Sequence, residues 1–270
     1  MAGPILGATG SVVWSNGTTG TNNTLLSSNG VTGGNPVRWT LRPNADKFNT
    51  TAFTTTDPTT TFLKGLTSWL GEFEALIPGP EIGSGGLVTF SAGYVTNLQE
   101  WSLDISRPAL ETTVFGATAK TFLPGLYSWS GRFAGLLDDT TAATMVANSS
   151  EPASATFKYS ERGVSDATLS GSIFTDGLDI GSMPEALNTI AYTFQGSGAL
   201  THSTPTTGNS ILTAGSAITA DDAGSIVLTA STGRTYTGSA FWTGISIDVK
   251  CTELMKVRVQ FQGTGALSIA

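Results

Sequence analysis

Residues 62–73 read FLKGLTSWLGEF, and residues 122–133 read FLPGLYSWSGRF. Phe62, Gly65, Trp69, Gly71 and Phe73 thus return as Phe122, Gly125, Trp129, Gly131 and Phe133, at an offset of 60. The match extends upstream. Trp39-Thr-Leu41 precedes Trp101-Ser-Leu103 by 62 positions, and Thr50–Phe53 precedes Thr112–Phe115 by the same interval. A second, different repeat follows. Phe194-Gln-Gly-Ser-Gly-Ala-Leu200 returns as Phe261-Gln-Gly-Thr-Gly-Ala-Leu267 at an offset of 67, carrying Gly196 and Gly198 onto Gly263 and Gly265. Gly171–Phe174 returns as Gly238–Phe241 at that offset, and Gly177, Ile180 and Leu187 as Gly244, Ile247 and Leu254. Repetition constrains the fold more than any local signal, because each copy must build the same unit.

The order is N-half, N-half, C-half, C-half, whereas a tandem duplication would alternate them. Two topologies satisfy it. In the nested one, residues 88–202 form a domain inserted into another made of 1–87 and 203–270. In the crossed one, each N-half pairs with the C-half two segments on. The joints favour nesting: PGPEIGSGG (78–86) and HSTPTTGNS (202–210) are rich in Pro, Gly and Ser, as linkers are. Insertion needs only that the ends of the guest lie close together.

The 270 residues suffice for one large or two modest domains. Thr, Ser, Gly and Asn abound and good helix formers are few, so the chain reads as all-β with many turns. In SWLGEFEALI, Trp69, Gly71, Phe73, Ala75 and Ile77 alternate with polar or exposed positions, a half-buried strand with one aromatic face. Ile190, Tyr192 and Phe194, and Val257, Val259 and Phe261, alternate likewise and face a core. Leu123-Pro-Gly-Leu126 fits a type II turn with Gly125 at positive φ, and Gly65 implies the same turn in the first copy. Asp138 or Asp139 caps a predicted helix over 138–147. Residues 15–35 lack periodicity and read as a long loop that orders on assembly.

Catalytic chemistry finds little support. His202 is the single histidine and reads as a surface linker residue. Cys251, the single cysteine, excludes internal disulfides and reads as an inert thiol on a strand. Glu72 and Glu74 share a strand face, but a solvated or interface strand explains them better than a glycosidase pair. Asp138/Asp139 and Asp221/Asp222 read as turn or cap residues. The Gly-rich segments lack the strand–loop–helix context of a phosphate loop and mark a bulge or sheet end instead. The net charge of −7 argues against a nucleic-acid reader with a basic face. The N-terminus has no signal-peptide pattern, and no apolar run reaches the ~20 residues of a membrane helix. No catalytic, cofactor or metal residue is predicted.

Residues 101–133, WSLDIS…TTVFG…FLPGLYSWSGRF, resemble the N-terminal half of the tail tube proteins of long-tailed bacteriophages. Residues 238–267, GSAF…GISI…VRVQFQGTGAL, resemble their final hairpin. The four units cover most of 38–77, 87–202 and 224–268. The chain departs from the simple pattern in holding two copies of each half.

The resemblance implies two β-sandwich or small-barrel domains with one or two short helices. It implies a virion protein without cofactor, whose rings stack into a hollow tail tube assembled in the host cytoplasm. A doubled protomer fills two of six places, so trimers would form pseudo-hexameric rings. Implied partners are further copies of the chain, tape-measure, tail terminator and baseplate proteins, and double-stranded DNA passing without sequence preference; no membrane is implied. Strand faces single out Glu72, Glu74 and Asp104 as lumen residues, where negative charge would repel phosphate. Arg132 stands where the first copy has Glu72, and opposite signs there would distinguish contacts between unlike copies. Alternative readings are a two-domain module binding carbohydrate or a cell surface through Trp14, Trp39 or Trp242, or a decoration or baseplate hub protein.

Overall fold

Alternation along the chain becomes alternation of burial in the fold. In the computed structural model, Met255, Val257, Val259 and Phe261 point inward while Lys256, Arg258 and Gln260 point to solvent. The structure describes residues 11–15, 22–26, 35–49, 60, 62–77, 87–90, 93–94, 97–136, 153–161, 164–182, 187–203, 224–230 and 233–270.

The first strands are β1 (Ser11–Ser15), β2 (Asn22–Leu26), β3 (Asn35–Asn49) and β4 (Phe62–Ile77). Then come β5 (Leu87–Phe90), β6 (Gly93–Tyr94), β7 (Leu98–Ser106), β8 (Ala109–Glu111), β9 (Phe122–Pro124) and β10 (Ser128–Leu136). The remainder are β11 (Ala153–Glu161), β12 (Val164–Gly181), β13 (Thr189–Ser203), β14 (Gly224–Thr229), β15 (Thr235–Lys250) and β16 (Met255–Ile269). The protein is all-β, and its ladders are antiparallel.

The repeats pair across the chain. β4, from the first N-half, bonds to β16, from the last C-half. β10, from the second N-half, bonds to β13, from the first C-half. Two equivalent strand sets result. In the outer set β3–β4–β16–β15 continues through β14 to β1 and β2. In the inner set β7–β10–β13–β12 continues through β11 to β5 and β6. One ladder, β7–β15, joins the sets, helped by a bridge between Thr67 and Ala119. β8 and β9 form a separate hairpin arm.

Aromatic rings fill the space the strands enclose. Phe133 stacks on Tyr192 at 4.7 Å and Phe157 on Phe194 at 5.1 Å, with Trp101 5.6 Å from Phe157. Trp69, Phe73 and Phe261 do the same in the outer set, with ring separations of 6.2 and 6.4 Å. Burying each such side chain stabilises by about 1.5–3 kcal/mol, so these rings dominate the core.

Several expectations need correction. The expected turn at Gly65 is absent: β4 runs unbroken through it, and the missing side chain admits Phe48 and Asp46 instead. Gly125 is not among the positive-φ glycines either; a methyl group there would collide with the Pro108 ring, and the Gly125 N–H donates to the Pro108 carbonyl at 2.8 Å. The copies differ here because Pro108 and Pro124 replace Asp46 and Lys64. Proline cannot donate to a ladder, so one long hairpin becomes β7–β10 plus the arm. Within the predicted 15–35 loop, Asn22–Leu26 is β2, paired with β1. No helix occurs among the described residues, and the expected helix over 138–147 lies outside them. His202 is within β13 and half-buried rather than on a linker. Cys251 is exposed at the turn after β15, because the strand ends at Lys250.

Candidate assembly interface

The two repeat motifs meet in space. Trp69 Nε1 donates to the Gly265 carbonyl and Trp129 Nε1 to the Gly198 carbonyl, each at 3.1 Å. Gly265 and Gly198 have φ of 78° and 71°, a conformation other residues rarely hold, and the ladders shift register there. A methyl group on Gly263 or Gly196 would collide with the Trp69 or Trp129 ring. One on Gly71 or Gly131 would collide with Phe261 or Phe194. Gln262 and Gln195 close each arrangement by donating from Nε2 to the carbonyls of Trp69 and Trp129, at 3.0 and 2.8 Å. FQGxGAL is thus the receptor for SWxGxF, which is why both motifs occur twice. Phe62, exposed in β4, and Phe122, half-buried in β9, lie outside this lock.

The two strand sets meet where β7 lies against β15. Gly244 to Lys250 pair with Ser106 to Glu100 in reverse order. Ile245 and Ile247 meet Ile105 and Leu103, all buried. On the other face Ser246 Oγ donates to Asp104 Oδ1 at 2.6 Å. Burial, and secondarily the nearby Asp104 charge, pushes the Asp248 carboxyl above its usual range. At the end of the seam the buried Arg107 guanidinium lies 4.5 Å over Trp242 and 5.8 Å over Tyr127. Trp242 is therefore a seam residue, not an exposed carbohydrate platform.

The equivalent positions elsewhere have no strand beside them among the described residues. β12 is covered by β11 only as far as Ile173, so Thr175–Gly181 is an open edge. β3 pairs with β4 alone. Ile180 occupies the place of Ile247; they are 51% and 0% exposed. Phe174 and Phe241 stand in the same relation at 46% and 2%. Trp39 and Leu41 are partly buried where Trp101 and Leu103 are fully so.

Glu72, Glu74, Asp104 and Arg132 lie on the polar sheet face, opposite the core. Glu74 sits 3.4 Å from both Arg38 and Arg258 on its flanking strands. Glu72 lies 4.0 Å from Arg38, and Arg132 3.1 Å from Glu100. Glu72 and Arg132 thus each find their counter-charge within their own strand set. Two open hollows mark this face, about 250 Å³ beside Thr40, Glu72 and Gln260 and about 160 Å³ beside Glu100, Arg132 and Asp248.

The β8–β9 arm reaches from the inner set onto the outer. Lys120 Nζ is 2.9 Å from Asp46, which with Glu111 raises the lysine pKa. Lys120 N–H donates to the Thr67 carbonyl, Gly265 N–H to the Lys120 carbonyl, and Phe122 N–H to Thr264 Oγ1. Leu110, Val114, Phe115, Leu123 and Leu126 remain exposed along the arm. Arg107 and Lys120 escaped sequence reasoning. Their signal was divergence between copies: Arg107 and Trp242 align with Ala45 and Thr175.

No group of His, Cys, Asp and Glu able to hold a metal occurs among the described residues, nor does a helix long and apolar enough to cross a membrane. The predicted Asp138/Asp139 and Asp221/Asp222 pairs lie outside them.

The sequence matches no protein-family model and no curated protein. Structural similarity extends to about half of the chain. A chain from the virion of the native gene transfer agent (GTA) particle is 14% identical at a TM-score of 0.38, with 46% of this chain and 98% of that one covered. A chain from the tail of the empty GTA particle, of C6 symmetry, is 17% identical at 0.35, covering 47% and 94%. The SPP1 tail tube protein is 11% identical at 0.36, covering 47% and 81%.

Proposed function

We propose that this protein is a doubled tail-tube subunit, three copies of which close into a pseudo-hexameric ring. The rings stack into the hollow tail tube of a long-tailed phage, through which double-stranded DNA passes. Residues 1–87 with 203–270 form one tube unit, and 88–202 form the other, inserted within it. The β4–β16 and β10–β13 pairings support that division.

One observation carries the reading. The chain contains a finished seam between its two copies, and the equivalent two edges have no strand beside them among the described residues, where a further copy would join. Unlike surfaces that meet head to tail propagate into rings when the rotation closes. The polar face with Glu72, Glu74, Asp104 and Arg132 lines the channel. Its acidic and basic groups are largely paired with each other, which leaves a sliding polyanion little to hold. The exposed arm makes contacts between rings, and tape-measure, terminator and baseplate proteins meet the tube at its ends.

Negative-stain microscopy of the concentrated protein tests this. Uniform rings or tubes with threefold or sixfold end views are expected. A monomer at every concentration, in sedimentation as well as in images, would count against the reading.

A further inference from the structure

Resting on the ring-forming reading above, we propose that copies of this chain join edge to edge through β3 of one and β12 of the next, in the register that β7 and β15 use within the chain. The register transfers directly. β7 aligns with β3 at an offset of 62 and β15 with β12 at 67. Within the sets these offsets hold: Leu178 faces Tyr192 as Ile245 faces Val259, and Trp39 faces Phe73 as Trp101 faces Phe133. Gly244–Ser106, Ser246–Asp104 and Asp248–Ser102 then become Gly177–Asn44, Asp179–Arg42 and Gly181–Thr40, one residue of each pair from each copy.

Three features make a second copy the occupant. First, Ile180 and Leu41 lie where Ile247 and Leu103 are buried in the finished seam, so the interface completes their burial. Second, the edges are oppositely charged. β3 carries exposed Arg38, Arg42 and Lys47, and the β12 edge carries exposed Asp176 and Asp179. Neither Arg42 nor Asp179 is in an ion pair with another described residue. The neutral–acidic pair Ser246–Asp104 is replaced by an acidic–basic one, which favours β3 against β12 and disfavours either edge against itself. Third, the edge of β3 leaves the choice of partner to its side chains. Arg107 N–H donates to the Thr243 carbonyl and Cys251 N–H to the Gln99 carbonyl, so odd-numbered residues of β7 exchange bonds with β15. The residue at the place of Ile105 is Pro43, which presents no N–H to the open edge. Proline there removes one ladder bond from any added strand, β12 included, and so leaves side chains to select the partner. The seam between copies also lacks the Arg107–Trp242–Tyr127 cluster, having Ala45, Thr175 and Thr67 at those places instead.

The test uses the full chain. Arg42→Asp and Asp179→Arg should each raise the concentration needed for assembly at least about tenfold in sedimentation velocity, and the double variant should recover it. In a Cys251→Ser background, Thr40→Cys with Gly181→Cys should give covalent multimers on mild oxidation, since these residues face each other as a non-hydrogen-bonded pair. Thr40→Cys with Asp179→Cys, two residues out of register, should not. Assembly that ignores both charge reversals and cross-links equally in both cysteine pairs overturns this interface while leaving the ring. A wild-type chain that never assembles removes both. Circular dichroism on each variant separates lost assembly from lost folding.

Discussion

Arg132 lies 3.1 Å from Glu100 across the β7–β10 ladder, and the same two places in the outer set hold Glu72 and Arg38, 4.0 Å apart. The ion pair is kept while its polarity is reversed. The change at one position is balanced by the change on the adjacent strand of the same set. Glu100→Arg alone should therefore destabilise the protein by about 0.2–1 kcal/mol, the range of exposed cross-strand pairs. Adding Arg132→Glu should restore it, because the outer set already uses that arrangement. Chemical denaturation of the three proteins measures this; a double variant no better than the single would show the pair to be uncoupled.

Gly196 and Gly263 lie against the faces of Trp129 and Trp69. Gly196→Ala or Gly263→Ala should reduce stability by about 1–3 kcal/mol through overpacking. Both should shift tryptophan fluorescence. Gly116→Ala is the contrast: its added methyl meets nothing within 4 Å, but φ is +85°. Only backbone strain of about 1 kcal/mol is expected there, with the fluorescence unchanged.

Lys120, half-buried, holds the arm to Asp46 and pairs with Glu111 within the arm. Lys120→Ala should leave the melting temperature almost unchanged and speed proteolysis between β8 and β9 severalfold, since local opening follows local contacts. Unaltered cleavage would mean the backbone bonds suffice to hold the arm.

His202 supplies a pH dependence. Burial lowers its imidazole from 6.5 to about 4. Between those values the unfolded chain binds more protons than the fold, so stability falls as pH drops from about 6.5 to about 4. Asp248, held protonated to higher pH by burial and Asp104, acts in the opposite sense over the carboxylate range. The informative quantity is thus the difference between wild type and His202→Gln at each pH. That difference should vary through this window; a constant one would mean His202 titrates normally.

The sequence by itself determined the secondary structure class, the duplicated units, and the inward residues of the repeated strands. A period of two and a repeated aromatic–glycine pattern are local properties, and Trp69, Phe133, Tyr192 and Val257 are buried as that pattern requires. It misjudged Gly65, Gly125, Trp242 and His202, whose surroundings come from residues far away in the chain. Gly125 is matched to Pro108, and Trp242 to Arg107. Tertiary structure alone decided that FQGxGAL receives SWxGxF, that Glu72 and Arg132 are balanced within their own strand sets, and that β7 lies beside β15 while β3 and the end of β12 have no such neighbour among the described residues. Those depend on which strand lies beside which. A repeated sequence makes two equivalent edges of each kind, and among the described residues the fold brings one pair of them together.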